Sequence, residues 1–131
     1  MQFDVEPPFA LAVTGYGAEG IAIQGRWYRQ SLLLGSDGVL LDWPLHGEGG
    51  ALTQQDLAWV LEQAAKNTVQ PYEMVILGTG ARQAFPDPAW LQPFMVHGLP
   101  LECMDTPAAC RTYNIVAAEG RRVLAALIPY C

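Results

Sequence analysis

The alternation of apolar and polar positions divides the chain into two unequal parts. Phe9 to Thr14 and Gly20 to Gln24 are short runs rich in β-branched residues on either side of a glycine-bearing stretch, the pattern of a hairpin. Trp27 to Leu34, bounded by Gly25 and Gly35, predicts one further strand. The turn signal Ser36-Asp37-Gly38 leads into another, Val39 to Trp43, which Pro44 ends. The first third therefore reads as antiparallel β.

Beyond the polar connection His46 to Gly50 the period changes. Thr53, with Asp56 three residues on, has the form of a capping box, and Leu57, Val60, Leu61 and Ala64 then recur at helical spacing. Tyr72 to Leu77 is a near-continuous apolar run, suited to a strand buried on both faces. Asp87-Pro88 opens a short helix that Gly98 stops, although Pro93 inside it removes a helical hydrogen bond. Leu101 to Met104 predicts a strand, Thr106-Pro107 opens a helix that Gly120 ends, and Arg122 to Ile128 predicts the last strand. With no repeat and no linker, residues 1–131 read as a single α/β domain, a mixed sheet with helices packed against it.

Composition narrows the class. Of 131 residues 51% are hydrophobic and 15% charged, which excludes a disordered chain. The net charge of −6 and the single lysine, Lys66, leave no basic surface for nucleic acid or anionic lipid. No apolar stretch approaches the ~18 residues of a membrane span. Met1 to Pro8 has the wrong chemistry for an export signal. Three cysteines, Cys103, Cys110 and Cys131, lack the paired spacing of a metal site. A reducing cytoplasm is the economical expectation, with a Cys103–Cys110 disulfide as the alternative.

Candidate chemistry is sparse. Gly15-Tyr16-Gly17-Ala18-Glu19-Gly20 spells a dinucleotide fingerprint, but strand period continues where a helix N-terminus must follow, so no such cofactor is expected. Gly78-Thr79-Gly80 falls at the carboxyl end of a parallel strand, where α/β sheets keep their crevices, and Arg82 supplies a fork for a small anion. Either the Asp105 acid or the Thr106 hydroxyl caps the following helix or, on the functional reading, the two join Arg111, Thr112, Tyr113 and Asn114 around the same crevice. Helical phase forbids all of these from lining one pocket. Ser31 and Ser36 are the only serines and neither sits on a nucleophile elbow; His46 and His97 are isolated; Cys103 reads as a small core hydrophobe. Trp59 lies off the apolar stripe of its helix and marks a partner surface.

Four segments carry a resemblance: Val75-Ile76-Leu77-Gly78-Thr79-Gly80, Asp105 through Asn114, Glu119-Gly120-Arg121, and Ala125-Ala126-Leu127-Ile128-Pro129. In order and spacing the chain resembles the family of the mitochondrial complex I assembly factor three and the adipogenesis-associated domain proteins. The resemblance implies a three-layer α/β fold with an added N-terminal antiparallel β layer. It brings no established catalytic residues. Its candidate cleft is Gly78, Thr79, Gly80 and Arg82 with Asp105, Thr106, Thr112 and Asn114.

Together these readings predict a non-enzymatic binding or assembly module without cofactor or metal. It would contact an unidentified protein, admit a small anion and have a surface for self-association. The alternative is a small-molecule enzyme or sensor in the same cleft. Either form requires the turns near residues 78 and 106 to meet.

Overall fold

The computed structural model describes residues 11–129. Eight strands and three helices follow in the order β1 (Val13–Gly17), β2 (Gly20–Ile23), β3 (Arg26–Tyr28), β4 (Leu32–Gly35), β5 (Leu40–Asp42), α1 (Gln54–Ala65), β6 (Met74–Thr79), α2 (Pro88–Val96), β7 (Leu101–Met104), α3 (Thr106–Ala118) and β8 (Val123–Ile128). Strands β1 to β3 form an antiparallel sheet. The other five form a mixed sheet in the order β5-β4-β8-β6-β7, with β6 parallel to both β7 and β8 and β4 antiparallel to its two neighbours.

Period-two alternation assigns the central strands to two cores. Leu32, Leu34, Met74, Ile76, Val123, Ala125 and Leu127 face α3 and the three-stranded sheet, while Leu33, Val75, Leu77, Leu124 and Ala126 face α1 and α2. The layers are thus α1 with α2, the mixed sheet, and α3 beside the small sheet. Helix α1 starts with the reciprocal cap expected of it: Asp56 N–H donates to Thr53 Oγ1 and Thr53 N–H to Asp56 Oδ2. Its stripe of Leu57, Val60, Leu61 and Ala64 is buried. Pro93 is carried inside α2 without ending it, and Gly98, at φ +66°, stops the chain from continuing as helix.

Two expectations change. The run Trp27 to Leu34 is two strands in different sheets, because β3 is a half-exposed edge on β2 whereas every residue of β4 is buried between two layers. The chain passes between the sheets at Arg29 to Ser31, where Trp43 N–H donates to Ser31 O at 2.9 Å. The first hairpin also turns later than its glycines suggest. Gly15 and Gly17 lie within β1 and the reversal falls at Ala18-Glu19. Gly20 is the obligatory glycine, since at φ +113° a Cβ there would stand 2.0 Å from Tyr28 O. Phe9 and Ala10, the start of the first predicted run, lie outside the described residues.

Candidate functional site

The two turns meet. Gly80 N–H donates to Thr106 Oγ1 at 2.8 Å, Thr106 N–H donates to Gly80 O at 2.8 Å, and the Thr106 hydroxyl donates in turn to Ile128 O. Thr106 is fully buried. Gly78 permits this closeness: a Cβ there would lie 2.9 Å from Thr106 Oγ1 and 3.1 Å from Ala109 Cβ. The hydroxyl therefore ties together the ends of β6 and β8 and the start of α3.

The eight cleft residues separate into different tasks. Gly78, Gly80 and Thr106 form this junction. Asp105 caps α3, its Oδ1 accepting from Ala108 N–H at 2.8 Å. The Thr79 hydroxyl lies 2.7 Å from Arg82 O and 3.1 Å from Met104 O and accepts from Ala84 N–H, so it shapes the following loop. Arg82 stands exposed on that loop. Asn114 is far from the turns. It accepts from Val13 N–H at 3.0 Å and donates to Val13 O at 2.7 Å, fixing β1 against α3. Thr112, half-buried, lies more than one turn along α3 from Thr106. Beside the junction, a recess of about 400 Å³ is walled by Leu52, Thr79, Phe85, Pro86, Trp90 and Ile128. Thr79 alone of the eight lines it.

The neighbouring surface is apolar. Phe85, Met95 and Val96 are 78%, 77% and 76% exposed, and Phe94 is the one buried side chain of α2. Phe94, Trp90 and Leu91 pack that helix on the core, while Met95 and Val96 are left to the solvent side. Trp59 and Trp90 are both half-buried against the core that α1 and α2 share.

Sequence reasoning treated His46 as isolated, and the structure differs. Its Nδ1 lies 2.6 Å from Asp56 Oδ1, and its backbone N–H donates to Asp56 Oδ2 at 3.2 Å. Trp43, buried behind them, donates Nε1–H to Asp56 O at 3.2 Å. Burial pushes the Asp56 pKa up, but hydrogen bonds from the His46 ring and backbone and from Thr53 outweigh it and hold the carboxyl below its ordinary value. Asp56 was legible as a cap; nothing local announced a histidine ten residues earlier.

The cysteines offer no nucleophile among the described residues. Cys103 and Cys110 are free thiols rather than a disulfide. Burial raises Cys110 to about 12, against a smaller opposing effect of Arg111, and burial followed by Glu102 raises Cys103. Thiol alkylation of the native protein at neutral pH is therefore expected to spare Cys110 and to modify it only on unfolding. Peptide mapping by mass spectrometry checks this, and rapid native modification of Cys110 would contradict the packing of α3. Among the described residues no cluster of His, Cys, Asp or Glu is arranged to hold a metal ion. Nor is any helix of the described residues long and apolar enough to cross a membrane.

Fold and junction define a class, the mixed-sheet α/β proteins with an accessory antiparallel sheet, and solved structures share it. A Bordetella parapertussis protein superposes with a TM-score of 0.77 at 35% identity, covering 94% of this chain and 99% of that one. A Bordetella pertussis protein described as a Mth938-like domain superposes with a TM-score of 0.75 at 28% identity, covering 99% and 93%. The chain belongs to the DUF498/DUF598 family, described as proteins of unknown function, whose model matches residues 13–128. It is 32% identical to the Bos taurus protein named NADH dehydrogenase [ubiquinone] 1 alpha subcomplex assembly factor 3, over 95% of this chain and 64% of that protein. The Mus musculus protein of the same name is 33% identical over 95% and 63%. An uncharacterised Rhodobacter capsulatus protein is 32% identical over 95% and 90%. The chain thus spans less than two thirds of the mammalian relatives it matches.

Proposed function

We propose that this protein is a non-enzymatic binding module of assembly type, a single domain working in the cytoplasm, which holds another polypeptide against the apolar face of α2. The observation that carries the reading is the exposure of Met95 and Val96 at the end of α2 and of Phe85 on the loop before it, beside the Trp90 recess. Large exposed apolar side chains along one short helix and its leading loop are of the kind that mark protein contacts. The name borne by the mammalian relatives supports the kind of role, assembly, and leaves the identity of the client open. Trp59, half-buried on the adjacent helix of the same layer, is a second candidate contact. The hydrogen bonds of the Gly80 turn are made within the protein, which favours a structural junction there; a small anion near Arg82 is the lesser reading.

The test is quantitative affinity capture from native lysate with wild type and with the Met95→Ser/Val96→Ser, Trp59→Ala and Arg82→Ala variants. A defined set of proteins retained by wild type and by Arg82→Ala, and reduced about tenfold or more by the α2 variant, is the expected result. Light scattering across a concentration series separates a second copy of this chain from a different client. Equal retention by the α2 variant, or metabolite turnover abolished by Arg82→Ala, would overturn the reading.

A further inference from the structure

We propose that the outer edge of β5 binds an extended segment of another protein as an added strand, with alternate side chains of that segment seated between β5 and α1. Strand β5 has one neighbour, β4, and stands at the end of the mixed sheet. Val39 O accepts from Gly35 N–H at 2.8 Å and Trp43 N–H donates to Ser31 O at 2.9 Å, so Leu41, midway between them, also faces its backbone to β4. Leu40 and Asp42 therefore turn their N–H and C=O groups outward, where no described residue pairs with them. Another extended backbone is what satisfies such a row in register.

The α1 side of this edge is hollowed. Val39, Leu41, Gln63 and Tyr72 line one recess of about 300 Å³, and Trp43, Pro44, Gln55 and Trp59 line another of about 490 Å³. Leu41 and Trp43 are two residues apart on one face of β5, so the recesses follow the ~7 Å spacing of same-face side chains in a neighbouring strand. Leu41 is 40% exposed, an apolar side chain that a further strand would cover. The polar groups beside the recesses already have partners: Asp37 accepts from Tyr72 and Asn67, Lys66 donates to Gln63, and Asp56 accepts from the His46 and Thr53 backbone. The Asp42 carboxylate is held by Gln30 on the opposite face of the sheet. Apolar side chains at positions i and i+2 of the added strand are thus what the recesses fit. The other end of the sheet is guarded: Pro100 precedes β7, Glu102 stands exposed on it, and Cys103 O accepts from Gln83 Nε2. The occupant is a different chain rather than a second copy, because two copies each carrying a net charge of −6 repel.

The test is selection of random ten-residue peptides displayed on phage against the full chain, followed by titration of the enriched peptides into isotope-labelled protein. Peptides with apolar residues at i and i+2 are expected to bind saturably and to shift the amide resonances of Leu40 and Asp42. Backbone N-methylation scanned along such a peptide should weaken binding at alternate positions only, as strand addition requires. Asp42→Pro removes an outward N–H where an edge strand tolerates proline, and Leu41→Ser strips a recess wall; each should weaken binding about fivefold or more. Leu41 is exposed, so its variant keeps the test valid if Asp42→Pro impairs folding. Enriched peptides indifferent to N-methylation, shifts confined to α2, or no saturable binder would overturn the proposal. A concentration-dependent dimer that Asp42→Pro abolishes would give the edge to a second copy and overturn the choice of occupant. Met95→Ser/Val96→Ser should leave peptide binding unchanged, so this reading and the α2 reading fail separately.

Discussion

Replacing Thr106 by valine is expected to lower the stability by about 3 kcal/mol and the melting temperature by about 10 °C. The substitution preserves shape and removes one hydroxyl, yet that hydroxyl serves two partners in a fully buried setting. Gly80 N–H then has no acceptor and Ile128 O loses its donor, and an unsatisfied buried group costs about 1–3 kcal/mol on its own. Thr106→Ser keeps both bonds and loses a methyl group, so it should retain most of the stability. Gly78→Ala should imitate the damage from the other side, because its Cβ would meet the same hydroxyl at 2.9 Å. Thermal melts rank the three variants. Hydrogen exchange provides a local check, with the Gly80 amide losing protection in Thr106→Val and keeping it in Thr106→Ser. A valine variant as stable as wild type would show that the junction contributes nothing to the fold.

Asp56→Ala is the second large effect, about 3 kcal/mol at neutral pH. It removes the α1 capping box and leaves Thr53 N–H, His46 N–H and the His46 ring without their acceptor. The sign of the pH dependence follows from the depressed pKa. Because the folded carboxyl titrates below its unfolded value, the ionised form stabilises the fold above the unfolded pKa of about 4. That contribution fades as the pH falls through the lower folded value. The stability gap between wild type and Asp56→Ala should therefore be constant from neutral to about pH 5 and narrow below about pH 4. Chemical denaturation at several pH values measures it. A gap that stays constant into strong acid would mean that the carboxylate charge is not what holds His46 and the cap.

These two sites differ in how much of them could be read beforehand. The Thr53 and Asp56 cap is local, three residues apart, and its chemistry is written in the chain. Its link to His46 and Trp43 is not local: it exists because β5 delivers the loop after Trp43 onto the first turn of α1. Thr106 had two readings, as one of two candidate caps and as a cleft residue, and it is neither cap nor free lining. Asp105 takes the cap, and the Thr106 hydroxyl turns inward to join three elements. Asn114 lay in a segment grouped with the cleft, but helical phase carries it to the opposite task of pairing with Val13.

By itself the sequence determined most of the element types and the buried stripe of α1. Alternation with period two, stripes at helical spacing, caps at Thr53, Asp87 and Asp105 and stops at Gly98 and Gly120 all act within a few residues, where backbone sterics and local hydrogen bonds decide. Only the tertiary structure decided that Trp27 to Leu34 serves two sheets, that Gly80 and Thr106 share one hydroxyl, that His46 meets Asp56, and that Met95 and Val96 of α2 stay exposed. Each of these depends on which distant segments compete to bury the same surface. That competition is settled by packing the two cores around the mixed sheet and leaves no local trace in the chain.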